Sequence, residues 1–356
     1  MFTGIQTMFL RTYILCILFE FSYELGKSDR KHTKTKNVLL FPPESVRKHT
    51  VLNDNDNVDY SNKRRFGKPV LAYITPLTPQ GVNTRSGCEI LGTHDIDRDW
   101  LEELRKNNSA LKVVPRVLFD NWPVDDITRF FQNEIWSNRC MMELTNFLAR
   151  NQFDGAVVEL WTSTMVQTRG LASQYMVELL NSWGNAFHMK NMEIIVPVGP
   201  PLSADYQQTG MFSTSFLHEL TNVDYVQIMT YDYSSQSPAG IAPYTWVEQS
   251  ISTILSGSSH LADKLLLGVN YYGYEYSHGR VEPVIFDRFL SVLKETNTEL
   301  EWDTVAKEHM LKTSDSVIYY PSLTSIELRL NLARNFGIGV GIWDYGQGLN
   351  YFSQLL

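Results

Sequence analysis

Apolar runs of strand length alternate with segments of helical periodicity from residue 69 to the end of the chain. The runs are almost continuously apolar, which indicates strands of a parallel sheet that is buried on both faces. A long helix is expected at about 125–150, where the Asp pair 125–126 can cap its first turn. The seven predicted strands are VLAYIT at 70–75, LKVVPRVLF at 111–119, FDGAVVELW at 153–161, MEIIVPVGPP at 192–201, VDYVQIMTYDYS at 223–234, KLLLGVNYYGYEY at 264–276 and GIGVGIWDYG at 337–346.

Polar and aromatic residues gather near the carboxyl ends of these predicted strands. A (β/α)8 barrel of the TIM type places its functional site at that end of its strands. An open, doubly wound sheet is the alternative, but no G-x-G-x-x-G follows any strand, so no dinucleotide cofactor is expected. The sequence therefore favours an α/β barrel whose site draws on Trp122, Trp161, Tyr231, Tyr272 and Trp343.

Two segments depart from the regular alternation. About 45 residues separate the seventh strand from the last helix, which is too long for an ordinary connection. The segment predicts a small strand-bearing insertion at about 277–322 that walls one side of the site. Only about 35 residues separate the first strand from the third, and 77–94 contains no apolar strand run. The second strand is therefore predicted to be missing, which would expose sheet edges, unless 87–92 takes its place.

The first 68 residues differ in character from the rest. A short apolar run, TYILCILF at 12–19, has signal-peptide length and falls short of the roughly 20 residues that a membrane span needs. Residues 1–26 are predicted to be a signal peptide, with an uncleaved anchor as the alternative. Residues 27–68 hold 11 Lys and Arg against 5 Asp and Glu without sustained periodicity, which is typical of a loosely ordered basic leader.

The distribution of charge narrows the choice of partners. The whole chain carries a net charge of −8, and residues 69–356 alone carry −13, so nucleic acid is not an expected partner. A signal peptide implies the secretory pathway, extracellular or lysosomal, where the sequon at Asn107 would be a glycosylation site. Beyond the signal peptide, Cys88 and Cys140 permit one disulfide or two free thiols.

Four motifs near the ends of the predicted strands occur in the same order as in a known protein family. They are FDG at 153–155, MTYD at 229–232, LGVNYYG at 267–273 and GIWDYG at 341–346. Together they resemble glycoside hydrolase family 18, the family of chitinases and chitinase-like barrels, from about residue 69 to the end. The resemblance implies a barrel with a sugar site at its mouth and no cofactor or metal.

The resemblance also bears on catalysis. Hydrolysing members have the motif D-G-x-D-x-D-x-E on the fourth strand. Its final Glu protonates the glycosidic oxygen, while the acetamide of the sugar attacks the anomeric carbon. Here Val157 and Glu159 stand at the second and third Asp positions of this motif, and Trp161 stands at the position of the Glu. In a strand these three side chains would share one face. Glu159 lies roughly 6–7 Å deeper than the acid position, and an acid must come within about 3 Å of its oxygen. The chain is predicted not to be an enzyme, with Trp161 at the barrel mouth.

The remaining motifs suit sugar binding. Carried over residue by residue, the resemblance implies that Trp343 forms the floor of the central subsite and that Tyr231 and Asp232 bind the N-acetyl group. For each aromatic residue, and above all for Trp122, core packing is the alternative. For Glu159 the alternative is a buried carboxylate that is paired with Tyr231, Asp232 or Arg116. The full predicted glycan site is Tyr73, Trp122, Glu159, Trp161, Met229, Tyr231, Asp232, Tyr272 and Trp343.

The leading hypothesis is a non-catalytic lectin that binds chito-oligosaccharides or related N-acetylglucosamine-containing glycans. The first alternative is a glycosidase that uses Glu159 or Asp232 as its acid. The second is a protein-interaction module in which the basic leader or the barrel rim binds a sorting or scavenger receptor.

Overall fold

The computed structural model describes residues 15–19, 39–58, 66–74, 82–84, 88–91, 96–119, 122–233 and 237–356. The strands are β1 (Leu15–Phe19), β2 (Val70–Ile74), β3 (Val82–Thr84), β4 (Ile90–Leu91), β5 (Leu111–Leu118), β6 (Gly155–Glu159), β7 (Glu193–Val198), β8 (Tyr225–Ile228), β9 (Leu265–Asn270), β10 (Gly273–Ser277), β11 (Arg280–Val284), β12 (Glu299–Asp303), β13 (Glu308–Lys312), β14 (Ser316–Tyr320) and β15 (Gly339–Trp343). The helices are α1 (Lys48–Asp56), α2 (Arg98–Asn107), α3 (Val124–Gln132), α4 (Glu134–Arg150), α5 (Trp161–Thr168), α6 (Ser173–His188), α7 (Thr214–Glu219), α8 (Tyr244–Leu255), α9 (Phe286–Leu293) and α10 (Leu323–Phe336).

Seven strands form a curled parallel sheet in the order β2, β15, β9, β8, β7, β6 and β5. Helices follow most of these strands, which is the alternation predicted from the sequence and agrees with a TIM-type α/β fold. The antiparallel strand β1 pairs with both β2 and β5, the two ends of the parallel sheet, and joins them. Leu15 is in register with Ile74 on one side and with Pro115 on the other.

The segment between β2 and β5 lacks a long strand within its described residues. It contains β3 and β4, a short antiparallel pair in which Asn83 faces Leu91. β3 also pairs in parallel with the end of β5, at Val82 and Val117. β4 pairs with β3 alone among the described strands, so 88–91 does not supply a barrel strand. A deletion of the second strand stays a prediction.

The predicted signal peptide is described only at 15–19, where it forms β1. The rest of 1–26 lies outside the described residues, so its removal stays a prediction. Where the structure describes the chain, none of its helices has both the length and the apolar character that a membrane crossing requires.

The described part of the predicted basic leader is attached to the body of the protein. The backbone N–H groups of Leu40 and Phe41 each donate to the carboxylate of Glu327 at 3.0 Å. The Nζ of Lys48 donates to the Oγ1 of Thr298 at 2.5 Å, and Val51 on α1 is buried. Residues 39–58 are therefore packed against the barrel, which corrects the expectation of a loosely ordered leader for this part of it.

A second sheet comes from the chain between β9 and β15. Its five strands are antiparallel, in the order β11, β10, β14, β13, β12, and α9 lies between β11 and β12 in the chain. Because β10 begins three residues after β9 ends, the hairpin β10–β11 stands directly at the carboxyl end of the barrel strands.

The barrel interior is filled by alternate residues of its strands, as the two-residue period of a strand requires. These side chains are buried, and Trp343 packs against them from the carboxyl end. The members are Leu71, Tyr73, Val114, Val157, Ile195 and Leu266. A larger apolar core lies between the strands and the helices around them.

Cys88 and Cys140 form a disulfide. It joins the residues just before β4 to α4 on the outside of the barrel. The sequence left a bridge or two free thiols open and favoured an ordinary half-buried thiol for Cys140; the structure has the bridge, and Cys140 is buried.

Candidate functional site

A cavity of about 500 Å³ opens at the carboxyl ends of β8, β9 and β15. One wall belongs to the barrel and the other to the hairpin β10–β11, and the volume is in the range of small-molecule sites. Among the described residues that line it, Asp232 is the sole charged one. The lining residues are Asp232, Tyr233, Tyr272, Tyr274, Tyr276, Val281, Pro283, Trp343 and Gln347.

Asp232 accepts hydrogen bonds from two tyrosines of the cavity wall. The hydroxyl groups of Tyr272 and Tyr274 both donate to its Oδ1. Burial, and then the hydrogen bond and charge of Asp232, raise the pKa of both hydroxyls above the ordinary value of 10.0, so both keep their protons at neutral pH. Asp232 is held here as a hydrogen-bond acceptor, with a φ of 58° that directs the chain away from the strand.

The hairpin β10–β11 presents one mixed aromatic and apolar face to the cavity. Tyr274 is opposite Pro283, and Tyr276 is opposite Val281, so the four side chains share a face of the hairpin. Burial raises the pKa of Tyr276 to about 12, and its hydroxyl donates to the carbonyl of Gly240 at 3.3 Å. Val281 and Pro283 are exposed on the edge strand.

Trp343 ends β15 and lies between the cavity and the barrel interior. The ring of Tyr73 is 5.0 Å from it at an interplanar angle of 55°. The guanidinium carbon of Arg116 lies over the indole, 4.7 Å from the ring centroid. A cation at this distance makes a favourable cation–π contact.

Glu159 is paired with Arg116 across β6 and β5. The Nε of Arg116 donates to the Oε2 of Glu159 at 2.5 Å, and the two side chains are 13% and 28% exposed. Of the three partners expected for Glu159, the structure selects Arg116. Neither Glu159 nor Arg116 is among the residues that line the cavity.

A polar layer separates the cavity from the apolar barrel interior. The hydroxyl of Tyr73 donates to the Oε1 of the fully buried Gln227. The Nε2 of Gln227 donates in turn to the hydroxyl of Tyr231 at 3.4 Å. Tyr231 then packs edge-on against Tyr272, at 6.3 Å between ring centroids. Tyr73 and Tyr231 thus lie beneath the cavity and support its wall.

A buried ion pair fixes the loop after Asp232. Glu308 and Arg329 are each 3% exposed and are joined by a 3.0 Å contact. The carboxylate of Glu308 accepts the N–H groups of Ile241 and Ala242 at 2.9 Å, and the carbonyl of Ile241 accepts the N–H of Tyr233 at 2.9 Å. Burial raises the pKa of Glu308 and lowers that of Arg329, while their attraction opposes both shifts.

The sequence model of the glycosyl hydrolases family 18 matches residues 59–348. The chain belongs to this family. Among curated proteins, the cortical fragment-lytic enzyme of Bacillus subtilis is 24% identical over 183 residues, which is 48% of this chain and 42% of that enzyme. The family 18 chain thus matches less than half the length of this relative.

Solved structures share the fold of this family 18 chain at low sequence identity. A chitinase from Chromobacterium violaceum is 18% identical with a TM-score of 0.64, over 77% of this chain and 88% of the other. The spore cortex-lytic enzyme of Bacillus megaterium is 13% identical with a TM-score of 0.63, over 77% of this chain and 65% of the other. A group IV chitinase from Ostrinia furnacalis is 14% identical with a TM-score of 0.63, over 78% of this chain and 89% of the other.

Trp161 is not at the mouth of the family 18 barrel. β6 ends at Glu159, Leu160 leaves the strand conformation with a ψ of −34°, and α5 begins at Trp161. The strand alternation therefore stops before position 161, and the side chain turns into the core. It is fully buried, packs edge-on against Phe212 and Phe216, and donates from Nε1 to the carbonyl of Met211 at 2.7 Å. The prediction that Trp161 lines the glycan site is corrected.

Trp122 also lies in the core. It is 4% exposed and stacks on Trp136 with 5.6 Å between centroids. Its prediction as a site residue is wrong, and the packing alternative holds. Met229 is partly buried against the main core and does not line the cavity.

The structure therefore sorts the nine predicted residues into groups. Asp232, Tyr272 and Trp343 line the cavity, Tyr73 and Tyr231 lie beneath it, and the other four do not line it. The sequence predicted that the insertion walls one side of the site, but it missed the residues that form this wall, Tyr274, Tyr276, Val281 and Pro283. The alternation of tyrosines in YYGYEYS at 271–277 was a signal for it, since Tyr272, Tyr274 and Tyr276 recur with the period of a strand.

Proposed function

We propose that this family 18 chain is a non-catalytic, chitinase-like lectin that binds chito-oligosaccharides or related N-acetylglucosamine-containing glycans at the barrel mouth. The observation that carries the proposal is the combination of a retained cavity with a missing acid. At the position of the acid stands Trp161, whose side chain is fully buried in the core. The cavity at the carboxyl ends of β8, β9 and β15 has the aromatic and hydroxyl groups that a sugar requires.

The chemistry of the cavity suits a sugar. A pyranose ring has an apolar C–H face that packs on an aromatic ring, and its hydroxyls and acetamide need fixed polar partners. Trp343 and the tyrosines supply the aromatic rings, and Asp232 and the carboxamide of Gln347 supply the polar partners. Because Tyr272 and Tyr274 already hold the Asp232 side chain in place, ligand binding costs this side chain little conformational entropy.

The alternative of a glycosidase with a displaced acid has less support. Glu159 is ion-paired with Arg116, and Asp232 accepts hydrogen bonds from two protonated hydroxyls. A general acid needs a proton to give within hydrogen-bond reach of the leaving oxygen. Both carboxylates are arranged as acceptors, which favours binding over hydrolysis.

Within the family, we propose that the chain is most similar to the branch of chitinase domain-containing protein 1, the stabilin-1-interacting chitinase-like protein. The support is the sequence resemblance of THDIDRDW at 93–100 and VPRVLFDNW at 114–122. We propose a secretory-pathway location, supported by the disulfide of Cys88 and Cys140, which is typical of oxidising compartments, and by the exposed Asn107 of the sequon.

Isothermal titration with tetra-N-acetylchitotetraose tests the lectin proposal. We expect heat of binding with a Kd below about 1 mM, and a loss of at least about tenfold in affinity in Asp232→Ala. Asp263→Ala is the matched control, since that carboxylate is exposed and pairs with Lys68 far from the cavity. Absence of binding heat in the wild type would refute the proposal.

Turnover of a fluorogenic N-acetylglucosaminide separates the lectin from the glycosidase. The lectin predicts the same background rate for the wild type and for the double variant Glu159→Gln/Asp232→Asn. A wild-type rate that falls in the double variant would support the glycosidase instead. Receptor binding through the leader stays a prediction, and its test is to delete 27–38 alone, because residues 39–58 pack against the barrel.

A further inference from the structure

The position of Arg116 bears on where a glycan can sit. Its guanidinium lies 4.7 Å from the centroid of the Trp343 ring and therefore covers one face of the indole. A pyranose would need the same few ångströms of space to stack on that face. The side chain is fixed there, because Glu159 binds its Nε and the pair is largely buried.

The cavity is lined by residues other than this ion pair. The cavity runs from Trp343 and Asp232 towards the hairpin β10–β11, and neither Arg116 nor Glu159 is among its lining residues. Its far wall is the face of the hairpin on which Tyr276 is opposite Val281. The wall thus offers an aromatic and apolar platform away from the barrel axis.

The charges in this region point to a neutral ligand. Arg116 is compensated by Glu159, and Asp232 is the sole charged residue among the described residues that line the cavity. An anionic sugar placed against the platform would lie near Asp232, and no positively charged residue is among the described ones that line the cavity. A neutral glycan with an apolar face meets no such repulsion.

We propose that the Arg116–Glu159 ion pair blocks the central sugar position over Trp343, and that a neutral oligosaccharide binds off-axis between Trp343 and the platform of the hairpin β10–β11. The proposal rests on the lectin function and specifies the place and charge class of its ligand. Arg116 is a specificity-determining residue in this arrangement, and Val281 is a contact residue of the off-axis site.

Isothermal titration of the full chain with tetra-N-acetylchitotetraose tests both parts. Val281→Asp puts a charge on an exposed position of the platform, which the fold tolerates, and we expect at least about tenfold weaker binding. Arg116→Ala uncovers the indole face, and we expect on the order of tenfold tighter binding. Arg105→Ala is the matched control, because Arg105 also pairs with a carboxylate, Asp154, but at the opposite end of β6, and its affinity should not change.

A second variant guards against misfolding. Arg116→Ala leaves Glu159 without this partner, so the double variant Arg116→Ala/Glu159→Gln removes the charge as well and should also bind more tightly than the wild type. Near-ultraviolet circular dichroism verifies that each variant is folded. Weaker binding in the folded double variant would overturn the blocking role of Arg116.

The outcomes separate this proposal from the lectin function. If the wild type binds and Val281→Asp binds equally well, the off-axis site is wrong while the lectin function stands. If the wild type does not bind but Arg116→Ala does, the blocking role stands and the lectin function of the natural chain is wrong. Binding by none of the chains contradicts both.

Discussion

His309 provides a pH-dependent test of the packing around the insertion sheet. It lies on β13, is 3% exposed, and burial lowers its pKa from 6.5 to about 4. Its Nε2–H donates to the carbonyl of Pro43 at 3.3 Å, while Nδ1 accepts from the hydroxyl of Ser322 at 2.8 Å. The neutral ring is thus the form that the folded chain accommodates, and it also packs on Trp302.

The sign and size of the effect follow from this shift. Between pH 6.5 and about 4, the unfolded chain binds a proton at His309 that the folded chain does not bind. The free energy of unfolding is therefore highest above pH 6.5 and decreases as the pH falls. Relative to its value above pH 6.5, the free energy of unfolding should be lower by about 2 kcal/mol at pH 5 and by about 3 kcal/mol below the pKa of His309 in the folded chain.

Urea unfolding at pH 7.5 and pH 5.0 measures this loss in the wild type and in His309→Gln. Carboxyl groups titrate in both chains, so the difference between the two pH dependences isolates the imidazole. We expect the wild type to lose about 2 kcal/mol more than the variant between the two pH values. Equal losses in the two chains would refute the reasoning, whatever the stability of the variant at pH 7.5.

Three further variants test the buried structure by equilibrium unfolding. Glu308→Ala leaves the buried Arg329 without its carboxylate and should cost about 3–5 kcal/mol; a loss below about 1 kcal/mol would contradict a buried pair. The double variant Cys88→Ser/Cys140→Ser opens a link across 52 residues and should cost about 4 kcal/mol, with no effect of reducing agent on the variant. Trp161→Ala should cost about 3–5 kcal/mol, whereas a tryptophan at an open barrel mouth would cost far less.

The fold was predictable because it depends on periodicity. The seven parallel strands come from continuous apolar runs, whose burial on both faces requires helices outside and side-chain layers inside. The role of β1 was not predictable, because an apolar segment of five residues reads equally well as part of a signal peptide. Its pairing depends on the space between β2 and β5, which local sequence does not encode.

The candidate site was predictable at Asp232, Tyr272 and Trp343, which follow strands that end at the same edge of the sheet. It was not predictable at Trp161, because the inference assumed that the strand continued past Glu159. A break at Leu160 was enough to move a large side chain from the mouth to the core. The contact of Arg116 with the indole joins residues more than 200 positions apart and has no local signal.

The attachment of residues 39–58 has a practical consequence for recombinant expression. The family match begins at residue 59, so a chain cut at that boundary would lack α1 and the preceding segment. Glu327 would lose both backbone donors, and the apolar surface that Phe41 and Val51 pack against would meet solvent. Such a surface promotes aggregation. We therefore expect soluble production to require the twenty residues 39–58, which lie outside the recognisable family domain.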